Sequence, residues 1–276
     1  MDFTEMKKVS IIVRTCNRPE VLKNCLRSIQ DQTYENIEVV VVEDGEPNAY
    51  EMIKRDFSHM DIHYYATGNR VGRSKAGNIA LSKATGDYLN FLDDDDEFYP
   101  DHVASLIKAI DQSGCKAAYA VAEESVCYFN RKKQAYVEVR KFVRYRNAFN
   151  RLYLLHENYF PIQTVMFSKE LFEKYGGFKE DLTYLEDWEL WVRYAMKADF
   201  CMVNTVTSKY RVPIKAANRS KQLRSAYARV YEYFLEGEIN YNIADLHSEL
   251  NALLREHYRP LWKRIAIKIL KPFRKG

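Results

Sequence analysis

The chain has 276 residues, 47% apolar and 29% charged, ample for a buried core in one large domain, or one domain with an appendage, and unlike a disordered chain. A formal net charge of +4 is too small by itself to imply nucleic acid as a partner. The N-terminus runs through two lysines into a short apolar stretch ended by Arg14, too short for a signal peptide or a membrane span, so a cytoplasmic protein is expected.

In chain order, residues 9–13 form a short apolar, β-branched run suited to a strand covered on both faces. It ends at Arg14-Thr15-Cys16-Asn17-Arg18. Pro19 then fits the first position of a helix whose inward face is Val21, Leu22, Cys25, Leu26 and Ile29. Further strands are expected at 37–42, 62–65 and 88–92, with helices at 74–84 and from Pro100 to about residue 113. Alternating strands and amphipathic helices predict an α/β fold with a mostly parallel, doubly wound sheet, whose ligands bind at the C-terminal ends of the strands.

Three of those strand ends carry polar groups: Thr15, Asn17 and Arg18 after the first, Glu43-Asp44-Gly45 after the second, and Asp93-Asp94-Asp95-Asp96-Glu97 after the fourth. Five consecutive acids behind an apolar strand call for a cation, and a hard divalent ion shared with phosphate oxygens is the simplest one. The alternative is a solvated turn whose charge favours the N-terminus of the next helix. Neither GxGxxG nor a P-loop sequence is present, so metal and basic side chains must hold any phosphate. The five cysteines, Cys16, Cys25, Cys115, Cys127 and Cys201, lack CxxC or metal-ligand spacing and read as buried thiols of a reducing compartment. Beyond residue 117 the pattern loosens, with uncertain strands at 136–143 and 164–167. Gly176-Gly177-Phe178 then leads to a helix near Glu186-Asp187-Trp188, where Thr183 and Glu186 have capping-box spacing.

The stretches VSIIVRTCNRP, VVVVEDG, GRSKAGNIALSKATGDYLNFLDDDDEFYPDH and GGFKEDLTYLEDWELWVR, in this order, resemble the inverting family-two glycosyltransferases with the GT-A fold, over about residues 9–210. The resemblance implies a Rossmann-like catalytic domain at 1–215, with a nucleotide-binding half (1–115) and an acceptor half (116–215), and a helical C-terminal extension at 216–276. It implies transfer of a sugar from a nucleotide-diphosphate donor, UDP-sugar foremost, with Mn²⁺ or Mg²⁺ as cofactor. Asp93 would face the ribose and Asp95 the metal, with Asp93 also near it and Asp94 in the donor site. The run can also be read as Asp94 with Asp96, and the first register is preferred because Asp93 directly follows the apolar strand. Asp44 would accept from the base, Thr15, Asn17 and Arg18 would line the donor, and Arg73 would meet the diphosphate, unless it belongs to an exposed basic face with Arg70 and Lys75. Asp187 matches the catalytic base, a carboxylate with a pKa near 4 on the ordinary scale; as a helix N-terminal aspartate it would also be favoured by the dipole.

The end of the chain differs from the rest. Between residues 258 and 276 lie Arg259, Lys263, Arg264, Lys268, Lys271, Arg274 and Lys275 with no acid, while Leu261, Trp262, Ile265, Ile269 and Phe273 recur at helical spacing. That pattern suits a peripheral helix on an anionic membrane surface, here the inner face of the cell membrane, or else docking on the catalytic domain. It fits an enzyme acting on a glycan or lipid-linked acceptor in surface polysaccharide assembly. Two other classes are weighed. A sugar-nucleotide pyrophosphorylase would carry a glycine-rich phosphate loop where VRTCNRP has no glycine, and a non-catalytic carbohydrate-binding module would be expected to have lost the acid run or Asp187.

Overall fold

A computed structural model describes residues 6–132, 134–214, 219–236 and 243–257; the basic segment 258–276 lies outside the described residues. Strand β1 (Val9–Thr15) is buried along its whole length. Helix α1 (Pro19–Gln30) has proline in its first turn and buries Val21, Leu22, Cys25, Leu26 and Ile29, the face its spacing predicts. There follow β2 (Ile37–Glu43), α2 (Tyr50–Asp56), β3 (Ile62–Ala66), α3 (Arg73–Lys83) and β4 (Tyr88–Asp93). Helix α2 is an addition to the expected elements: it buries only Met52 and Ile53, too few to show a periodicity.

Strand β5 (Glu97–Phe98) pairs antiparallel with β9, which delays the next helix, α4 (His102–Ser113), to two residues beyond Pro100. The second half comprises β6 (Ala117–Asn130), β7 (Ala135–Val143), α5 (Arg151–His156), a 3-10 turn at Ile162–Thr164, β8 (Val165–Ser168), α6 (Lys169–Tyr175), α7 (Glu186–Ala195), β9 (Phe200–Pro213), α8 (Arg219–Glu236) and α9 (Ile243–His257). Among the described residues, nine strands join one sheet in the order β3-β2-β1-β4-β8-β6-β9-β5, with β7 beside β6. Pairing is parallel from β3 to β4, antiparallel on both sides of β8, and parallel again between β6 and β9.

Both faces of the sheet are covered, as its runs of apolar residues require. Val39 and Val41 of β2 face a core with Leu22, Leu26 and Leu106, whereas Val40 and Val42 face another with Phe91, Phe167, Trp188 and Trp191. Helix α8 closes over α7, where Tyr227, Tyr231 and Phe234 meet the Trp188 ring edge-on. Helix α3 approaches Phe178 so closely that a Cβ at Gly77 would lie 2.7 Å from its ring, and a Cβ at Gly86 would lie 2.7 Å from the Ser10 nitrogen. Of the cysteines, Cys25 and Cys127 are buried, while Cys16, Cys115 and Cys201 are partly exposed, because the last three sit at strand or helix ends rather than on inward faces. No helix among the described residues is long and apolar enough to cross a membrane.

Candidate functional site

The parallel registers Thr15 with Glu43, Glu43 with Ala66, and Arg14 with Asp93 bring the C-terminal ends of β1 to β4 onto one rim. There an open cleft of about 610 Å³ is lined by Thr15, Arg18, Asp44, Arg73, Asp93, Asp94 and Asp95 of the expected residues, together with Arg14, Arg70 and Tyr184. Asn17 stands apart. It takes a left-handed backbone, is exposed, and offers its N–H to Glu43 at 3.1 Å.

Glu43 is an internal brace rather than a ligand: it is buried and also accepts from the Ala49 N–H and the Tyr64 hydroxyl. Asp44 accepts the Val71 N–H at 2.6 Å and the Gly72 N–H at 3.1 Å, one on each oxygen, so it shapes the loop that leads into α3. Gly72 has φ +92, a region that favours glycine, and directly precedes Arg73 at the helix start. Arg73 is therefore at a helix N-terminus facing the cleft, a placement that suits anions.

The acid run is not a uniform block of charge. Asp94 and Asp96 are buried, whereas the side chains of Asp93 and Asp95 are 21% and 27% exposed. Burial pushes the Asp94 carboxyl up to about 7, with Arg18 opposing and Asp95 adding to the rise. Burial, with Asp95 and Asp93 nearby, likewise holds Asp96 well above the carboxylate range. Burial would raise Asp93 too, but Arg14 outweighs it and holds that carboxyl below its ordinary value. Arg18 bonds Asp94 and reaches Asp95 at 3.2 Å, and Lys209 and Arg211 pair with Glu97. Arginines and burial thus relieve part of the repulsion among the five acids from within, and the partly exposed Asp93 and Asp95 are the two left open towards an external cation.

Two carboxylate oxygens at the cleft could take a metal ion. Asp93 takes both Arg14 bonds on Oδ1, and Asp95 takes Arg18 and the Tyr136 hydroxyl on Oδ2, so Asp93 Oδ2 and Asp95 Oδ1 hold no hydrogen bond among the described residues. Glu38, Asp61 and His63 also converge closely enough for an ion, with ligand atoms within 4.8 Å, but they lie at the opposite rim. There the Lys8 ammonium already bonds Glu38 at 2.6 Å and approaches Asp61 at 3.6 Å, so a protein cation occupies that cluster.

Helix α7 brings the remaining predicted residue. Its preceding residue is Leu185, left-handed at φ +61, with no side-chain cap. The expected capping box is absent because the chain turns at Leu185, making Glu186 the first helical residue instead of the third. Glu186 is buried and bonds Arg14 at 3.0 Å, with Arg73 at 3.7 Å. Asp187, next in the helix, is half-buried and accepts the Trp188 N–H at 2.8 Å. Burial, joined by the Glu186 carboxylate, pushes its carboxyl up to about 7, against the pull of an Asn158 bond; the ordinary value expected from sequence is thereby corrected. A base poised near neutrality is well matched to proton abstraction.

Arg14, Glu186, Tyr136 and Arg211 were not foreseen as site residues. Arg14 left one signal, a cation closing a buried apolar strand, but its partners come from segments far along the chain. The Tyr136 position depends on how the β6–β7 hairpin folds over Arg18 and Asp95, which nothing local announces.

The sequence signature described as glycosyl transferase family 2 matches residues 10–176. The chain is 41% identical over 104 residues to "Glycosyltransferase GlyA" of Streptococcus pneumoniae, a match that covers 37% of this chain and 15% of that protein. Among solved structures it is similar to S. aureus TarS 1-349 in complex with UDP-GlcNAc, at TM-score 0.70 and 17% identity, covering 91% of this chain and 72% of that one. It is also similar to the mannosyltransferase PcManGT from Pyrobaculum calidifontis in complex with GDP-Man and Mn2+, at TM-score 0.65 and 19% identity, covering 99% and 77% respectively. Both structures share the mixed α/β sheet with flanking helices.

Proposed function

The chain belongs to glycosyl transferase family 2 and is a glycosyltransferase, and we propose that it moves a sugar from a UDP-sugar to a hydroxyl of a glycan or lipid-linked acceptor by a single inverting displacement. The observation that carries this reading is the cleft itself. Partly open carboxylates of Asp93 and Asp95 stand beside the guanidinium groups of Arg18 and Arg73. Arg14 of the same cleft bonds Glu186, and the next residue of α7 is Asp187, with its carboxyl pushed up to about 7. The nucleotide-sugars bound to TarS and PcManGT support a nucleotide-sugar donor of the same general class.

In this mechanism Thr15 lines the ribose side, and Asp44, whose oxygens keep lone pairs beyond their backbone bonds, accepts from the ring imide. Arg73, at the start of α3, meets the diphosphate. Asp93 Oδ2 and Asp95 Oδ1 would hold Mn²⁺ or Mg²⁺, which neutralises charge on a departing diphosphate. Their shared partial exposure favours the Asp93–Asp95 register over the Asp94–Asp96 one, whose members are buried. Asp187 takes the proton of the acceptor hydroxyl as its oxygen attacks the anomeric carbon. Glu186 offers no second nucleophile, since Arg14 and Arg73 hold it, and a lone base implies inversion. The half formed by residues 116–215 would carry the acceptor, and the basic segment 258–276 would place the enzyme on an anionic membrane surface.

Calorimetry of UDP binding with MnCl2 and with EDTA tests the donor site. The expected result is metal-dependent binding that Asp95→Ala removes. Equal UDP affinity in both buffers would overturn the metal site, and a product of retained anomeric configuration by NMR would overturn the single displacement.

A further inference from the structure

We propose that Arg14 is a positioning residue: its one guanidinium, forked between Asp93 at the end of β4 and Glu186 at the start of α7, holds the donor-side acids and the helix carrying Asp187 at a fixed separation. The value of that separation for catalysis rests on the reading of Asp187 as the base. Arg14 is only 6% exposed, at the end of a strand that is otherwise apolar except for Ser10 and Thr15. Its register partner on β4 is Asp93. Nε and Nη2 donate to Asp93 Oδ1 at 2.9 and 2.7 Å, while Nη1 donates to Glu186 Oε1 at 3.0 Å. Its guanidinium carbon lies 5.7 Å from the Phe91 ring centroid and 5.3 Å from that of Phe178. Edge bonds to two carboxylates and packing by two rings leave this side chain little freedom to rotate.

The first turn of α7 needs such a tie. It is entered through left-handed Leu185 and has no side-chain cap, so its polar connection to the sheet rim runs through Glu186. Of the two arginines on Glu186, Arg73 is half-exposed and stands off at 3.7 Å, whereas Arg14 is buried and bonded. A lysine would supply equal charge, but its single nitrogen on a flexible stem lacks the planar fork that bridges two carboxylates. The proposal therefore separates geometry from charge.

Amide hydrogen exchange on the full chain, comparing wild type with Arg14→Lys and Arg14→Gln, tests it without reference to activity. Both variants should speed exchange at residues 189–192, in the first bonded turn of α7, by about tenfold or more, the scale of one lost charge-assisted hydrogen bond. The β1 and β2 amides should keep wild-type protection in Arg14→Lys, which guards against an Arg14→Gln variant that fails to fold. Wild-type exchange in α7 of Arg14→Lys would overturn the proposal, since charge alone would then suffice, and equally raised exchange throughout would reduce Arg14 to a general structural role. Hydrolysis of UDP-GlcNAc is measured alongside. A loosened α7 with reduced hydrolysis and retained UDP binding in MnCl2 supports both readings, whereas a loosened α7 with unchanged hydrolysis supports the Arg14 tie and overturns Asp187 as the base.

Discussion

Asp187 occupies the second position of α7, where burial and the adjacent Glu186 push its carboxyl up to about 7. A base must be deprotonated to act, so turnover should fall as pH drops through neutrality. Asp187→Asn should lower turnover by about 10²–10⁴-fold while leaving UDP affinity in place. Glu186→Gln removes the like charge, so the acid limb of its pH–rate profile should move to lower pH; an unmoved limb would count against this account of the shift. The stability sign is opposite to that of a salt-bridged acid. With the folded value above the unfolded one, ionising Asp187 costs stability as pH rises from about 4 to 7. Asp187→Asn should therefore melt higher than wild type at pH 8, with little difference at pH 4. The role proposed for Asp187 comes from its motif, but its proton affinity was not legible there, because that depends on which neighbour Arg14 neutralises and how deeply the turn is buried.

At the scale of elements, two glycines test how tightly helices and strands meet. A methyl at Gly77 would press on the Phe178 ring, which has some room to shift, whereas one at Gly86 would meet the backbone of Ser10 and Lys8. Gly77→Ala should cost about 1–3 kcal/mol and Gly86→Ala more, by urea unfolding; the reverse order would refute the rigid contact at Gly86. Strand β2 adds a pH effect at its other end. Burial raises Glu38, but bonds from Lys8, Ser10 and Thr85 outweigh it and hold the carboxyl at about 2. This depressed value makes a contribution of roughly 3 kcal/mol that is complete above pH 4.5 and lost as pH falls towards 2. Glu38→Gln should be less stable at pH 7 and show a shallower decline over that window in denaturant titrations. The parallel half of the fold was readable because β1, β2 and β4 are nearly continuous apolar runs. Strands β7 and β8 fall where uncertain strands were expected, at 136–143 and 164–167. The long β6 and β9 were not readable, since mixed burial and distant partners leave no local period, and Leu185 displaced the anticipated capping box by turning the chain where spacing alone showed a cap.

At the scale of the whole molecule, membrane placement depends on residues 258–276, whose charge pattern alone supports it. Full-length protein should co-sediment with anionic liposomes, and do so less as salt rises, at about 1 kcal/mol per engaged base; a chain ending at residue 257 should remain in solution. Equal pelleting of the two, or indifference to lipid charge, would leave the segment as a packing element. The sheet itself has a consequence for how the protein is made. Strand β8, Val165–Ser168, lies between β4 and β6, yet it is synthesised after both, and β6 acquires its parallel neighbour only when β9 is complete at Pro213. On the ribosome, β1 to β4 can assemble as they emerge, while the facing edges of β4 and β6 stay unpaired until four late residues fill the gap. A pause in translation after β6 has emerged but before β8 and β9 follow thus leaves unpaired strand edges on both β4 and β6, the condition under which nascent chains mispair with one another or recruit chaperones.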